Sequence, residues 1–128
     1  MSEKRCYFAY GSNMDLSQMR QRCPEAVFVN IAKLSGYRFI INNHGVATVI
    51  PKTVCNVYGI TWNITSSDEE LLDEYEGIKC GTYIKKNVDV KLDTKEIITA
   101  LIYIARDSNI GYPRNGYKEL RSWLQKGD

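Results

Sequence analysis

The sequence holds a single histidine, His44, and its four cysteines, Cys6, Cys23, Cys55 and Cys80, include no CxxC pair. Tetrahedral Cys/His zinc patterns are therefore missing, and no metal is expected. Serine–histidine or cysteine–histidine chemistry is excluded unless His44 itself serves. No apolar run approaches the roughly 18 residues that span a bilayer. The polar start, Met1-Ser2-Glu3-Lys4-Arg5, leads into only a short apolar stretch. A secretory leader is thus not expected, which points to a cytoplasmic protein with free, mostly buried cysteines. The formal net charge of +2 is too small for a nucleic-acid or anionic-membrane partner. Repeats and low-complexity linkers are also absent.

What is present suits one globular domain over residues 1–128, with 44% apolar and 25% charged residues. Residues 6–10 (Cys-Tyr-Phe-Ala-Tyr) are β-prone and stop at the turn cluster Gly11-Ser12-Asn13. Asp15, with Gln18 as box partner, starts a first helix that Pro24 ends. Residues 26–34, 37–42, 45–50 and 55–64 read as successive strands rich in Val, Ile, Phe and Tyr. Ser67 and Glu70 suggest a capping box for a second helix, with Leu71, Leu72 and Tyr75 as its buried face and Gly77 just past its end. Residues 83–92 and 96–105 form a hairpin across Asp93-Thr94-Lys95. A loop from Ser108 to Gly116 leads to a third helix carrying Tyr117, Leu120, Trp123 and Leu124 as one apolar stripe. The class is α+β with a strongly bent antiparallel or mixed sheet.

Two segments could carry chemistry. Tyr10-Gly11-Ser12-Asn13 joins a strand end to a helix start, where backbone N–H groups can converge on an anion, aided by the helix dipole. Plain turn geometry accounts for the same residues. Glu76, in Leu72-Asp73-Glu74-Tyr75-Glu76-Gly77, faces the negative end of its helix with Asp73 one turn before it. Both effects raise its pKa and suit it to general acid/base work. A solvated acidic face is the alternative, since Asp68, Glu69, Glu70, Asp73 and Glu74 form one. Gly45-Val46-Ala47-Thr48 reads as packing, and Tyr83 and Tyr103 as core or cross-strand filling.

In this order, the pieces resemble the γ-glutamylcyclotransferase-like family. Tyr10-Gly11-Ser12-Asn13 looks like its ligand loop. Leu72-Asp73-Glu74-Tyr75-Glu76-Gly77, continuing through Ile78-Lys79-Cys80-Gly81-Thr82-Tyr83, is similar to the segment carrying its essential glutamate. His44-Gly45-Val46-Ala47-Thr48 and Val57-Tyr58-Gly59-Ile60-Thr61-Trp62 fit its internal strands. The resemblance implies a small bent mixed or antiparallel β-barrel with short flanking helices. It implies cyclisation of a γ-glutamyl amino acid or amine to 5-oxoproline, with Glu76 as acid/base and the loop as anion-binding backbone. Tyr83 would line the site, no cofactor would be needed, and the protein would be a monomer or homodimer. Related enzymes carry a longer stretch after the strand ending near Tyr103, which here is only Asp107-Ser108-Asn109-Ile110 before Gly111-Tyr112-Pro113. That implies an open amine side suited to a larger γ-glutamyl amine or a γ-glutamylated intermediate. Asn13, where glutathione-specific relatives carry an apolar residue, argues against glutathione. A non-catalytic module binding γ-glutamyl or 5-oxoproline ligands on the same fold is the alternative.

Overall fold

The computed structural model describes residues 4–111. The expected third helix and the Tyr112-Pro113 loop lie outside the described residues. Five strands close into a barrel: β1 (Arg5–Ala9), β2 (Val27–Ile41), β3 (Ala47–Ile64), β4 (Tyr83–Leu92) and β5 (Ile97–Ala105), in the spatial order β1-β3-β2-β4-β5. All neighbours are antiparallel except β1 and β5, which meet in parallel at Tyr7 and Leu101. The sheet is therefore mixed, and the expected α+β barrel is what the chain forms.

The four strands expected between residues 26 and 64 are two long ones. Gly36, at φ 82°, lets β2 continue through a register shift between Ser35 and Tyr37 instead of stopping. On the partner strand, residues 52–55 bulge outward there, which leaves Val54 84% exposed. Turn residues thus mark a bulge rather than a strand end.

Both α-helices among the described residues lie outside the barrel. A 3₁₀ turn (Ser12–Met14) precedes α1 (Leu16–Arg22), whose N-cap Asp15 accepts from the Gln18 N–H at 3.1 Å as expected. In α2 (Ser66–Tyr75) the capping box is Thr65 with Asp68, not Ser67 with Glu70. Asp68 is buried, so its carboxylate serves the cap best from inside, while Ser67 and Glu70 are left on the outer turn. The expected buried face also shrinks to Leu72; Leu71 and Tyr75 are about half exposed. Gly77 follows the helix at φ 66°, as expected for a residue past the C-cap.

Alternation along β1 feeds two cores. Phe8 and Tyr10 join the barrel interior with Leu34, Phe39, Val49 and Ile102. Tyr7 and Ala9 join a second cluster with Met19, Trp62, Leu72, Leu101 and Tyr103, sandwiched between barrel and helices. At Gly59, β3 runs close against β1. A Cβ there would lie 2.3 Å from the Ala9 carbonyl oxygen and 2.8 Å from the Phe8 ring. The 93–95 turn closes the expected hairpin, with Lys95 at φ 80°.

Candidate active site

A cleft of about 360 Å³ opens where the end of β1, the end of α2 and the starts of β3 and β4 converge. It gathers Tyr10, Gly11, Asn13, Glu76 and Tyr83, all expected from the sequence, and adds Tyr7, Tyr75, Tyr103, Val46, Ala47 and Thr82. Ser12 sits between Gly11 and Asn13 in the 3₁₀ turn. Val46 and Ala47, expected to be packing, form part of the wall. Tyr103 is both core and wall. Tyr7 has no signal in the sequence, because its place in the wall depends on β1 burying both of its faces.

Gly11 does not need left-handed backbone, and a Cβ on it would meet the Ala47 methyl at an ordinary 3.9 Å. Its contribution is open space in the cleft. The helix dipole expected to assist this loop does not reach it. The 3₁₀ turn intervenes, and the carboxylate of Asp15 already occupies the N-terminus of α1.

Glu76 is the C-cap of α2, and its N–H donates to the Leu72 carbonyl at 2.8 Å. Its carboxyl is half-buried in the cleft. Burial pushes its pKa up to about 7, against the opposing pull of the Arg22 guanidinium. The direction expected from sequence holds, and burial, which acts on an inward-pointing carboxyl, is its largest cause. Asp73 is instead engaged elsewhere, with the Tyr103 hydroxyl and with Lys85.

The tyrosines form an ordered lining. The Tyr10 hydroxyl donates to the Tyr103 carbonyl at 2.5 Å, and the Tyr83 hydroxyl to the Ala47 carbonyl at 2.6 Å. The Tyr103 hydroxyl donates to Asp73 at 2.6 Å, and the Tyr103 and Tyr7 rings meet edge to face with centroids 5.8 Å apart. Asn13 is buried. Its side-chain amide donates to the Tyr7 hydroxyl oxygen at 2.9 Å, its Oδ1 accepts from Arg22, and its carbonyl accepts from the Trp62 indole at 3.2 Å. The Arg22 guanidinium also lies 3.7 Å above the Tyr75 ring, so one cation touches both the loop and the end of α2. Among the described residues no three of His, Cys, Asp and Glu converge as a metal would require. No described helix is long and apolar enough to cross a membrane. One half-buried acid near neutrality, beside a glycine loop and a wall of tyrosines, can exchange protons with a bound amine.

Residues 7–125 match the protein family described as gamma-glutamyl cyclotransferase, AIG2-like. The chain is 31% identical over 126 residues to the gamma-glutamylcyclotransferase of Mus musculus, covering 89% of this chain and 66% of the relative. It is 30% identical over 128 residues to the Homo sapiens protein of the same name, covering 92% of this chain and 68% of the relative. It spans about two thirds of the length of these curated relatives. A solved structure titled gamma-glutamyl cyclotransferase superposes with a TM-score of 0.86 at 28% identity, over 98% of this chain and 80% of that one.

Proposed function

The chain belongs to the γ-glutamyl cyclotransferase, AIG2-like family, and from that membership we propose that its cleft cyclises a γ-glutamyl amino acid or amine to 5-oxoproline, releasing the free amine. The observation that carries this reading is Glu76, a cleft carboxyl whose pKa is pushed to about 7.

In this reaction the substrate's own α-amine attacks its γ-carbonyl carbon. An α-ammonium, with an ordinary pKa near 8, first has to lose a proton. The Glu76 carboxylate accepts it. As the C–N bond of the tetrahedral intermediate breaks, the protonated Glu76 returns the proton to the departing nitrogen; the surplus proton on the ring nitrogen then passes through the freed carboxylate to the released amine, which leaves as an ammonium. One ring amide forms, one amide breaks, and no water is consumed. Proton transfer of this kind contributes about 10²–10⁴ in rate. Because nucleophile and carbonyl belong to one molecule, the cleft has only to hold them at ring-closing distance. The backbone N–H groups of Gly11, Ser12 and Asn13 supply donors for substrate oxygens, while Tyr10 and Tyr83 shape the wall.

The amine side is short. By Gly111 the chain after β5 has already turned back onto β2, where the Gly111 N–H donates to the Ile41 carbonyl at 2.8 Å. That supports a γ-glutamyl amine with a bulky leaving group over glutathione. A cytoplasmic monomer or homodimer acting without cofactor completes the reading; Cys6, Cys23, Cys55 and Cys80 are all unpaired.

The test is to incubate the protein with γ-glutamyl amino acids, γ-glutamyl-lysine-type amines and glutathione, following 5-oxoproline by mass spectrometry. The expected outcome is product from one class and a loss of at least ~10²-fold in Glu76→Gln. Full turnover in that variant overturns the mechanism. Ligand binding without product from any substrate converts the protein into a binding module.

A further inference from the structure

Five tyrosines line the cleft, Tyr75 with its ring under Arg22, and three of the others spend their hydroxyl hydrogen on the protein. Tyr10 donates to the Tyr103 carbonyl, Tyr83 to the Ala47 carbonyl and Tyr103 to the Asp73 carboxylate. Tyr7 differs. It is 4% exposed and lines the cleft, and its hydroxyl oxygen is an acceptor, taking the Asn13 amide hydrogen at 2.9 Å.

The direction of that bond is dictated from further out. A guanidinium has only donors, so the Asn13 atom that meets Arg22 has to be the amide oxygen. The amide nitrogen, with its hydrogens, then faces Tyr7, and the Tyr7 oxygen has to accept. Its own hydrogen is left to point elsewhere. Among the described residues no acceptor takes it, and Tyr7 lines the cleft. Arg22 is held for this task by a 2.8 Å bond to Gln18 and by stacking on Tyr75.

We propose that Arg22 and Asn13 form a one-way relay that makes the Tyr7 hydroxyl a hydrogen-bond donor to the substrate's γ-carbonyl oxygen, and so to the oxyanion that replaces it during ring closure. The choice of oxygen follows from place: Tyr7 and Glu76 line the same cleft, and the Glu76 charge acts on the Tyr7 phenol. Burial, reinforced by Glu76, raises the phenol pKa, which keeps the donor hydrogen in place throughout the working range. Arg22 and Asn13 are positioning residues; Tyr7 is the group that touches substrate. The inference rests on the cyclotransferase reading.

The experiment is a double-mutant cycle on the full chain, assayed for 5-oxoproline above the acidic limb of the pH profile. Tyr7→Phe is expected to lower kcat by ~10–10³-fold with KM changed less than ~3-fold, as for a lost oxyanion donor. Arg22→Gln lets the amide turn over and is expected to lower kcat as well. In the Tyr7→Phe background it should cost no more than ~2-fold, because the relay then has nothing to orient. Arg22→Lys, which is also donor-only, should recover most of the loss. Full kcat in Tyr7→Phe, a raised KM with kcat unchanged, or additive losses each overturn the proposal. Should Arg22→Gln fail to fold, the kcat-against-KM split of Tyr7→Phe decides alone. A wild type that yields no 5-oxoproline overturns the underlying reading, and an active wild type with an equally active Tyr7→Phe overturns only the relay.

Discussion

The Tyr103 hydroxyl and the Lys85 ammonium meet on the same carboxylate, that of Asp73, at 2.6 and 3.0 Å. This junction ties β5 and β4 to α2 one turn before Glu76. Lys85 also pairs with Glu69, which in turn holds Arg5 at 3.0 Å. The tyrosine bond is the more sheltered member.

Tyr103→Phe is therefore expected to destabilise the fold by about 1–2 kcal/mol, since a charge-assisted bond in a part-buried place is lost. Lys85→Met is expected to cost about 0–1 kcal/mol, because its partners are part-exposed and screened. Urea midpoints of the two variants check the order. A larger loss from Lys85→Met reverses the ranking.

The raised pKa of Glu76 gives catalysis and stability opposite slopes. Catalysis needs the carboxylate, so kcat/KM should fall about tenfold per unit as pH drops below about 7. For stability, between the ordinary carboxylate range and pH 7 the folded chain keeps a proton that the unfolded chain has lost. Stability contributed by this group is thus fully present in acid and lost as pH rises toward 7. Glu76→Gln should stabilise the protein by about 1–2 kcal/mol at pH 8, after allowing for part-exposure, and by almost nothing at pH 4. Thermal melts at the two pH values test this. An equal gain at both contradicts the assignment.

Gly59→Ala should be among the most damaging small substitutions, costing about 3 kcal/mol or more. Its methyl would press on the Ala9 carbonyl and the Phe8 ring, which are backbone and packed core and have nowhere to go. Gly11→Ala has space and should fold normally, with its loss confined to activity. Circular dichroism and turnover measured side by side separate the two.

Burial raises the Cys6 thiol to about 11 and the Cys23 thiol to about 12, with Asp68 adding to the latter and Arg22 opposing it. Both should resist alkylation at pH 8 until the protein unfolds, while the exposed Cys80 reacts at once. Mass spectrometry of the native and denatured protein after a short exposure to iodoacetamide would show it. Rapid native labelling of Cys23 would mean that the space under the helices opens readily.

Local signals gave way wherever tertiary packing outweighed them. Asp15 capping through Gln18, Gly77 past α2 and the 93–95 hairpin were legible because each depends on residues within a few positions. The α2 cap was misread because Ser67/Glu70 and Thr65/Asp68 both fit a box, and only the burial of Asp68 separates them. Gly36 falls in the gap between the expected strands 26–34 and 37–42 because a bulge and a turn use the same residue. Glu76 and the Gly11 loop could be named from their order along the chain, yet the reason for the raised pKa of Glu76 lies in how deeply the cleft covers it. Tyr7 and the Arg22–Asn13 contact were invisible, since they depend on which face of β1 meets the helices.

That double-faced strand constrains how the family's sequences can change. A one-residue slip turns every side chain of a strand to its other face, which already costs a strand with a single buried face its core contacts. In β1 a one-residue insertion or deletion would send Phe8 under the helices and Tyr7 into the barrel, exchanging two cores of different shape. The same slip would pull Tyr10 and Gly11 off the cleft. Length variation should therefore accumulate in places such as the exposed bulge at 52–55 and the 93–95 turn, while the count of residues from Arg5 to Asn13 stays invariant.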